Sequence, residues 1–144
     1  MAASMPAPEL KVAPGFEAVR VYAVPRETAG SWVSLAADDR GRLYASDQYG
    51  PIFRIELSGA AKAPAAIVTK LALPIGGAHG LSWIYGTLYA VVGQKSVCAT
   101  ALYRVRDTDH DGELDRVELL RALDGDGELS SASRRDRRQL PEPR

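Results

Sequence analysis

Twelve residues, Asp107-Thr-Asp-His-Asp-Gly-Glu-Leu-Asp-Arg-Val-Glu118, carry the densest chemistry in the chain. They fill every specified position of the calcium-loop pattern D-x-D-x-D-G-x5-E. Asp107, Asp109 and Asp111 each offer a side-chain oxygen, and Gly112 permits the sharp turn that brings those carboxylates to one centre. Glu113 offers its backbone carbonyl, Asp115 acts through a water, and Glu118 closes the site with both carboxylate oxygens. Ligation by oxygen alone selects a hard cation. A bidentate glutamate raises the coordination number above the octahedron that magnesium prefers, so calcium is the expected ion. The competing reading is a solvated acidic turn, because Asp and Gly are also ordinary loop residues. The crowded acids repel one another, so the loop is expected to fray without a cation.

The remaining candidates carry less. His110 stands at an unspecified position and reads as a solvent-facing residue. Asp124-Gly-Asp-Gly-Glu128 resembles a second loop but lacks the third acid and the closing glutamate, and reads as a turn. A single cysteine, Cys98, excludes an internal disulfide, a multi-cysteine zinc site and a C-x-x-C-H haem attachment within this chain. Its expected role is a small buried apolar residue.

The elements that position the loop read as strands. On the incoming side Ala101 to Arg106 alternates and is rich in aromatic and β-branched residues, which opposes the long amphipathic helix of an EF-hand. The outgoing Arg116 to Leu123 suits either state. A repeat decides between them: Gly41-Arg-Leu-Tyr-Ala45 returns as Gly86-Thr-Leu-Tyr-Ala90, and Phe53-Arg-Ile55 returns as Tyr103-Arg-Val105. Each unit reads as strand, turn, strand, turn, strand, loop, outer strand. Strands are expected at Phe16–Val24, Ser31–Ala37, Arg42–Gln48, Pro51–Leu57, Ala65–Leu73, Gly80–Tyr85, Thr87–Val92, Ala99–Arg106 and Asp115–Leu123. Four short strands in a repeat of roughly 40 to 50 residues are the signature of a β-propeller blade. The expected fold is therefore all-β: a partial β-propeller of two to three four-stranded blades, spanning 15–128 with the calcium loop at 107–118. Residues 1–14 read as a flexible lead-in and 129–144 as a disordered basic tail. Trp32 and Trp83 read as packing residues in similar places of the two units.

With 144 residues, 18 basic and 18 acidic side chains, the chain has room for one ordinary domain and carries no net field toward nucleic acid or anionic membrane. No apolar stretch reaches the roughly 20 residues of a membrane span, and Met1 to Glu9 lacks the layout of an export signal. A ring of six blades needs on the order of 270 residues at this spacing. A truncated or frame-shifted product is the expectation, with self-association through exposed blade flanks.

Gly15-Phe16, Gly30-Ser-Trp-Val-Ser-Leu35, Gly41-Arg-Leu-Tyr-Ala-Ser-Asp-Gln-Tyr-Gly50, Gly76-Gly-Ala-His-Gly-Leu81 and Leu102-Tyr-Arg-Val-Arg-Asp-Thr108 resemble the opening blades of bacterial propeller proteins related to quinoprotein glucose and sorbosone dehydrogenases. The resemblance spans roughly Ala13 to Glu128. It implies six-bladed, generally exported relatives that oxidise sugars or similar alcohols with pyrroloquinoline quinone and often continue into a cytochrome c-like domain. In that setting His79 has the chemistry of a general base, against the reading of a histidine satisfied by backbone at a blade edge. No residue is assigned a catalytic or quinone-binding role, since this sequence lacks the remaining blades. Three functions are carried forward: a calcium-binding propeller fragment inactive alone, a quinone-dependent dehydrogenase formed by assembly of such pieces, and a calcium-dependent protein interaction module.

Overall fold

The computed structural model describes residues 10–60, 63–93 and 97–123. One helical turn, α1 (Arg26–Ala29), precedes eight strands: β1 (Trp32–Ala37), β2 (Leu43–Asp47), β3 (Ile52–Ala60), β4 (Ala63–Lys70), β5 (Ala78–Ile84), β6 (Thr87–Val92), β7 (Ala101–Arg106) and β8 (Arg116–Ala122). They form two antiparallel four-stranded sheets whose strand order follows the chain, β1-β2-β3-β4 and β5-β6-β7-β8. Among the described residues no helix is long and apolar enough to cross a membrane.

Period-two alternation is what makes these segments strands. In β7 residues Ala101, Tyr103 and Val105 are buried while Leu102, Arg104 and Arg106 are not, and in β6 Leu88, Ala90 and Val92 are buried opposite them. Between β5 and β6 the chain reverses at Tyr85-Gly86, both at positive φ (50° and 72°), the two-residue hairpin geometry in which glycine relieves the second position. The β1–β2 turn is built differently. Asp38 accepts hydrogen bonds from the backbone N–H groups of Arg40 and Arg42 at 3.0 and 2.8 Å, and from Arg42 Nε at 2.7 Å.

The sequence repeat is a repeat of register. Leu43 pairs with Ile55, Tyr44 with Arg54 and Ala45 with Phe53; in the second sheet Leu88 pairs with Val105, Tyr89 with Arg104 and Ala90 with Tyr103. The irregularity in the first strand recurs as well, at Trp32/Ser34 in one sheet and Ala78/Gly80 in the other.

The sheets meet through unlike faces. β5 packs against β1 and β2. The first sheet contributes the face carrying Ser34, Ala36, Tyr44 and Ile52; the second contributes the face carrying Leu81, Trp83, Leu88, Ala90 and Val105. Tyr44 and Leu88 belong to one hydrophobic core, yet by register Tyr44 corresponds to Tyr89 and Leu88 to Leu43. Polar contacts help fasten the joint. The Leu81 N–H donates to Ser34 Oγ at 2.9 Å, Trp83 Nε1 donates to Asp39 Oδ1 at 3.0 Å, and the Gly77 N–H donates to the Gly50 carbonyl at 2.9 Å.

Several expectations are corrected. Phe16–Val24 is not a strand. Its alternation is that of a strand, but Phe16, Val19 and Val21 stay exposed, and Tyr22 instead stacks on Trp32, whose ring packs on Phe53. Trp32 and Trp83 do not hold matching places: register aligns Trp32 with Ala78 and Trp83 with Ala37. His79 lies inside β5 rather than before it. Asp124–Glu128 and the tail 129–144 fall outside the described residues.

Candidate metal centre

β7 and β8 are joined by Asp107–Asp115, and both flanks of the loop are strands, so no EF-hand surrounds it. The turn is shaped by its own acids. Asp107 accepts from the backbone N–H groups of His110 (Oδ1, 2.7 Å) and Gly112 (Oδ2, 2.8 Å). Asp111 Oδ1 accepts from the Glu113 N–H at 2.7 Å, and Asp109 Oδ1 accepts from the Asp111 N–H at 3.3 Å. Gly112 adopts φ 97°, and His110 is also left-handed at φ 63°. Desolvation raises the Asp107 carboxyl, but hydrogen bonds from Gly112 and His110, with Asp109 and the His110 charge behind them, outweigh it and hold it below the usual carboxylate value.

These bonds draw three side chains together. Asp107, Asp109 and Asp111 each place a carboxylate oxygen in a group whose members all lie within 4.8 Å of one another. The carboxylates of the remaining acids of the motif are engaged by other partners. Both carboxylate oxygens of Asp115 accept from Thr108, from its N–H at 3.0 Å and its Oγ1 at 2.6 Å. Glu113, expected to act through its carbonyl, points its carboxylate to Arg54 of the first sheet. Glu118 is not among the gathered carboxylates. It sits in β8, opposite Arg104, and accepts from Arg104 Nε at 2.8 Å and Arg106 Nη2 at 2.6 Å. Those two arginines, Arg106 foremost, hold the Glu118 carboxyl below the usual glutamate value against its partial desolvation.

The reason lies in chain geometry. Three residues of helix advance about 4.5 Å, and an exiting helix can fold the twelfth residue back onto the ion. Three residues of strand advance about 10 Å, which carries Glu118 away along β8. A hard-cation site on this loop therefore rests on the three aspartates with water or backbone oxygen completing the shell.

The loop is also anchored to the first sheet by residues outside the motif. Arg42 Nη1 donates to the Gly112 carbonyl at 2.7 Å while its Nε holds Asp38. Arg54 pairs with Glu113 and lies within 2.9 Å of Glu56. Asp107 and His110 help line a cleft of roughly 400 Å³ with Arg40, Trp83, Tyr85 and Arg106, so the loop stands at the mouth of the joint. These anchors lie far from the loop in sequence, and only the matching of Arg54 to Arg104 across the repeat hints at them. His110 is solvent-facing, as its unspecified position suggests. Cys98 is half-buried and packs at the core's edge, with Sγ 3.7 Å from the Gly76 carbonyl.

No family model, curated protein or solved structure matches the chain.

Proposed function

We propose that the chain is a calcium-binding protein whose two sheets are neighbouring blades of a β-propeller. The observation that carries the metal reading is the convergence of Asp107, Asp109 and Asp111 on a loop shaped by Gly112. Three anionic oxygens at this spacing, accessible to water, suit a hard cation of flexible coordination, for which calcium is better matched than magnesium. Calcium would neutralise the repulsion among the three carboxylates and hold the β7–β8 connection in one shape. Asp107, whose two oxygens accept from the His110 and Gly112 N–H groups, would orient the other two.

The blade reading is supported by sheets whose strands follow chain order, share register and irregularity, and stack through unlike faces. The dehydrogenase reading gains no support from His79, since its Nε2 is sealed from solvent without a hydrogen-bond partner among the described residues.

Isothermal titration tests the metal reading. One calcium site is expected, with magnesium weaker, and Asp109→Ala should abolish the heat. Equal heats from parent and Asp109→Ala would refute it.

A further inference from the structure

The joint between the two sheets pairs faces that are not equivalent by register, so each partner face is used once and one face of each kind is left over. The other face of the first sheet, carrying Leu35, Leu43 and Ala45, corresponds to the Leu81, Leu88 and Ala90 face the second sheet has used; it is exposed along β1 at Val33 and Leu35, while Ala45, Phe53 and Ile55 on β2 and β3 are buried. The second sheet keeps open the face of Ser82, Tyr89 and Val91, which corresponds to the Ala36, Tyr44 and Ser46 face the first has used. A head-to-tail relation of this kind has no natural end within one copy, and continues until a ring closes or a filament grows.

We propose that the chain associates with copies of itself in this way, the Leu35 face of one copy's first sheet seating on the Val91 face of another's second sheet. The new contact continues the joint already made inside each chain. Leu35 is 59% exposed, whereas Leu81 at the matching position packs on the core; Val91 is 39% exposed, whereas Ser46 at its matching position is fully buried. A shallow groove lined by Trp32, Val33, Ser34, Leu35 and Ala45 runs along β1 on the open side of the first sheet. The stack of Tyr22 on Trp32 and Trp32 on Phe53 covers part of that face. Val33 and Leu35 of β1 stay uncovered, and the joint inside the chain is likewise made by the first strand of the second sheet against β1 and β2. The copy number rests on the blade reading proposed above: rings of roughly four to eight blades close, so closure takes about two to four copies.

The test uses the full chain and two variants, Leu35→Arg and Val91→Arg, each placing a charge on one open face. Sedimentation equilibrium should give a discrete assembly for the parent and single chains for either variant. A mixture of the two variants should form a one-to-one complex and nothing larger, because each retains the face the other has lost. An assembly through two like faces would instead leave one variant able to pair with itself. A parent that sediments as a single chain, a variant that assembles as the parent does, or a mixture that forms no complex each overturns the proposal. Circular dichroism verifies folding, and Ser82→Arg, on the same exposed face, replaces Val91→Arg if that variant unfolds. The contact uses no residue of the aspartate loop, so its failure leaves the calcium reading standing and the reverse also holds.

Discussion

Tyr44 of β2 and Trp83 of β5 stack with ring centroids 5.4 Å apart and planes 6° from parallel. This one pair crosses the joint between the sheets. Arg42 lies over the Tyr44 ring at 6.0 Å, and Trp83 also holds Asp39 at the β1–β2 turn, so hairpin, aromatic stack and the anchor of the aspartate loop share neighbouring side chains.

Aromatic pairs of this geometry are worth about 0.5–1.5 kcal/mol beyond the area they bury. A double-mutant cycle with Tyr44→Leu and Trp83→Leu, read from urea unfolding, should give a coupling in that range. Burial raises the Tyr44 phenol above its usual value, and its hydroxyl is buried with no hydrogen-bond partner among the described residues. Tyr44→Phe, which keeps the ring, should therefore be neutral or stabilise by up to about 1 kcal/mol. A loss larger than that would show that the hydroxyl is satisfied in solution.

Gly112→Ala should destabilise by about 1–3 kcal/mol. Two effects compete for the cause. A Cβ at this position would lie 2.8 Å from Arg40 Nη1, but that atom ends a flexible side chain and can swing away; the backbone at φ 97° cannot relax without reshaping the loop. The strain should dominate, so adding Arg40→Ala to Gly112→Ala is expected to restore little of the loss in thermal unfolding. Full recovery in the double variant would assign the cost to the contact instead.

The strand content was legible because the core-facing residues recur with period two and the two units repeat; β6 and β8 fall within a residue of where alternation puts them. What alternation does not encode is whether a sheet edge is available. Phe16–Val24 has the pattern without the pairing, and its Tyr22 serves as a cover for Trp32. α1 is a single turn without a side-chain cap, too short for a periodic signal. At the site, spacing was enough to gather Asp107, Asp109 and Asp111, which share one tight turn. It did not foresee that Glu118 pairs with Arg104 and Arg106, because a twelve-residue motif carries the twist of its exiting helix implicitly and here the exit is a strand. The anchors Arg42 and Arg54 depend on how the sheets dock, which local sequence does not contain.

Glu118 ties β7 to β8 through Arg104 and Arg106, and its folded carboxyl titrates below the usual value. A depressed carboxyl contributes stability above its unfolded pKa of about 4.3 and loses it as pH falls through the folded value. The gap in urea midpoint between parent and Glu118→Gln should thus hold steady from neutral pH to about 5 and close in more acid solution. A gap independent of pH down to strong acid would show that the arginines do not favour the ionised form.

Placement of Glu118 also separates two kinds of calcium loop by a single comparison. Where an exiting helix returns the twelfth residue to the ion, its removal cripples binding; here the carboxylate is committed to Arg104 and Arg106, while Asp109 is one of three that converge. Asp109→Ala should lose calcium binding in titration calorimetry. Glu118→Gln should bind with affinity close to the parent's and be less stable without metal. Chelator should speed amide exchange in residues 107–113 with little change in β7, whose backbone bonds lie within the sheet. If Glu118→Gln lost calcium as completely as Asp109→Ala, the glutamate would have to leave its arginines for the ion, and β8 would have to bend toward the loop on binding.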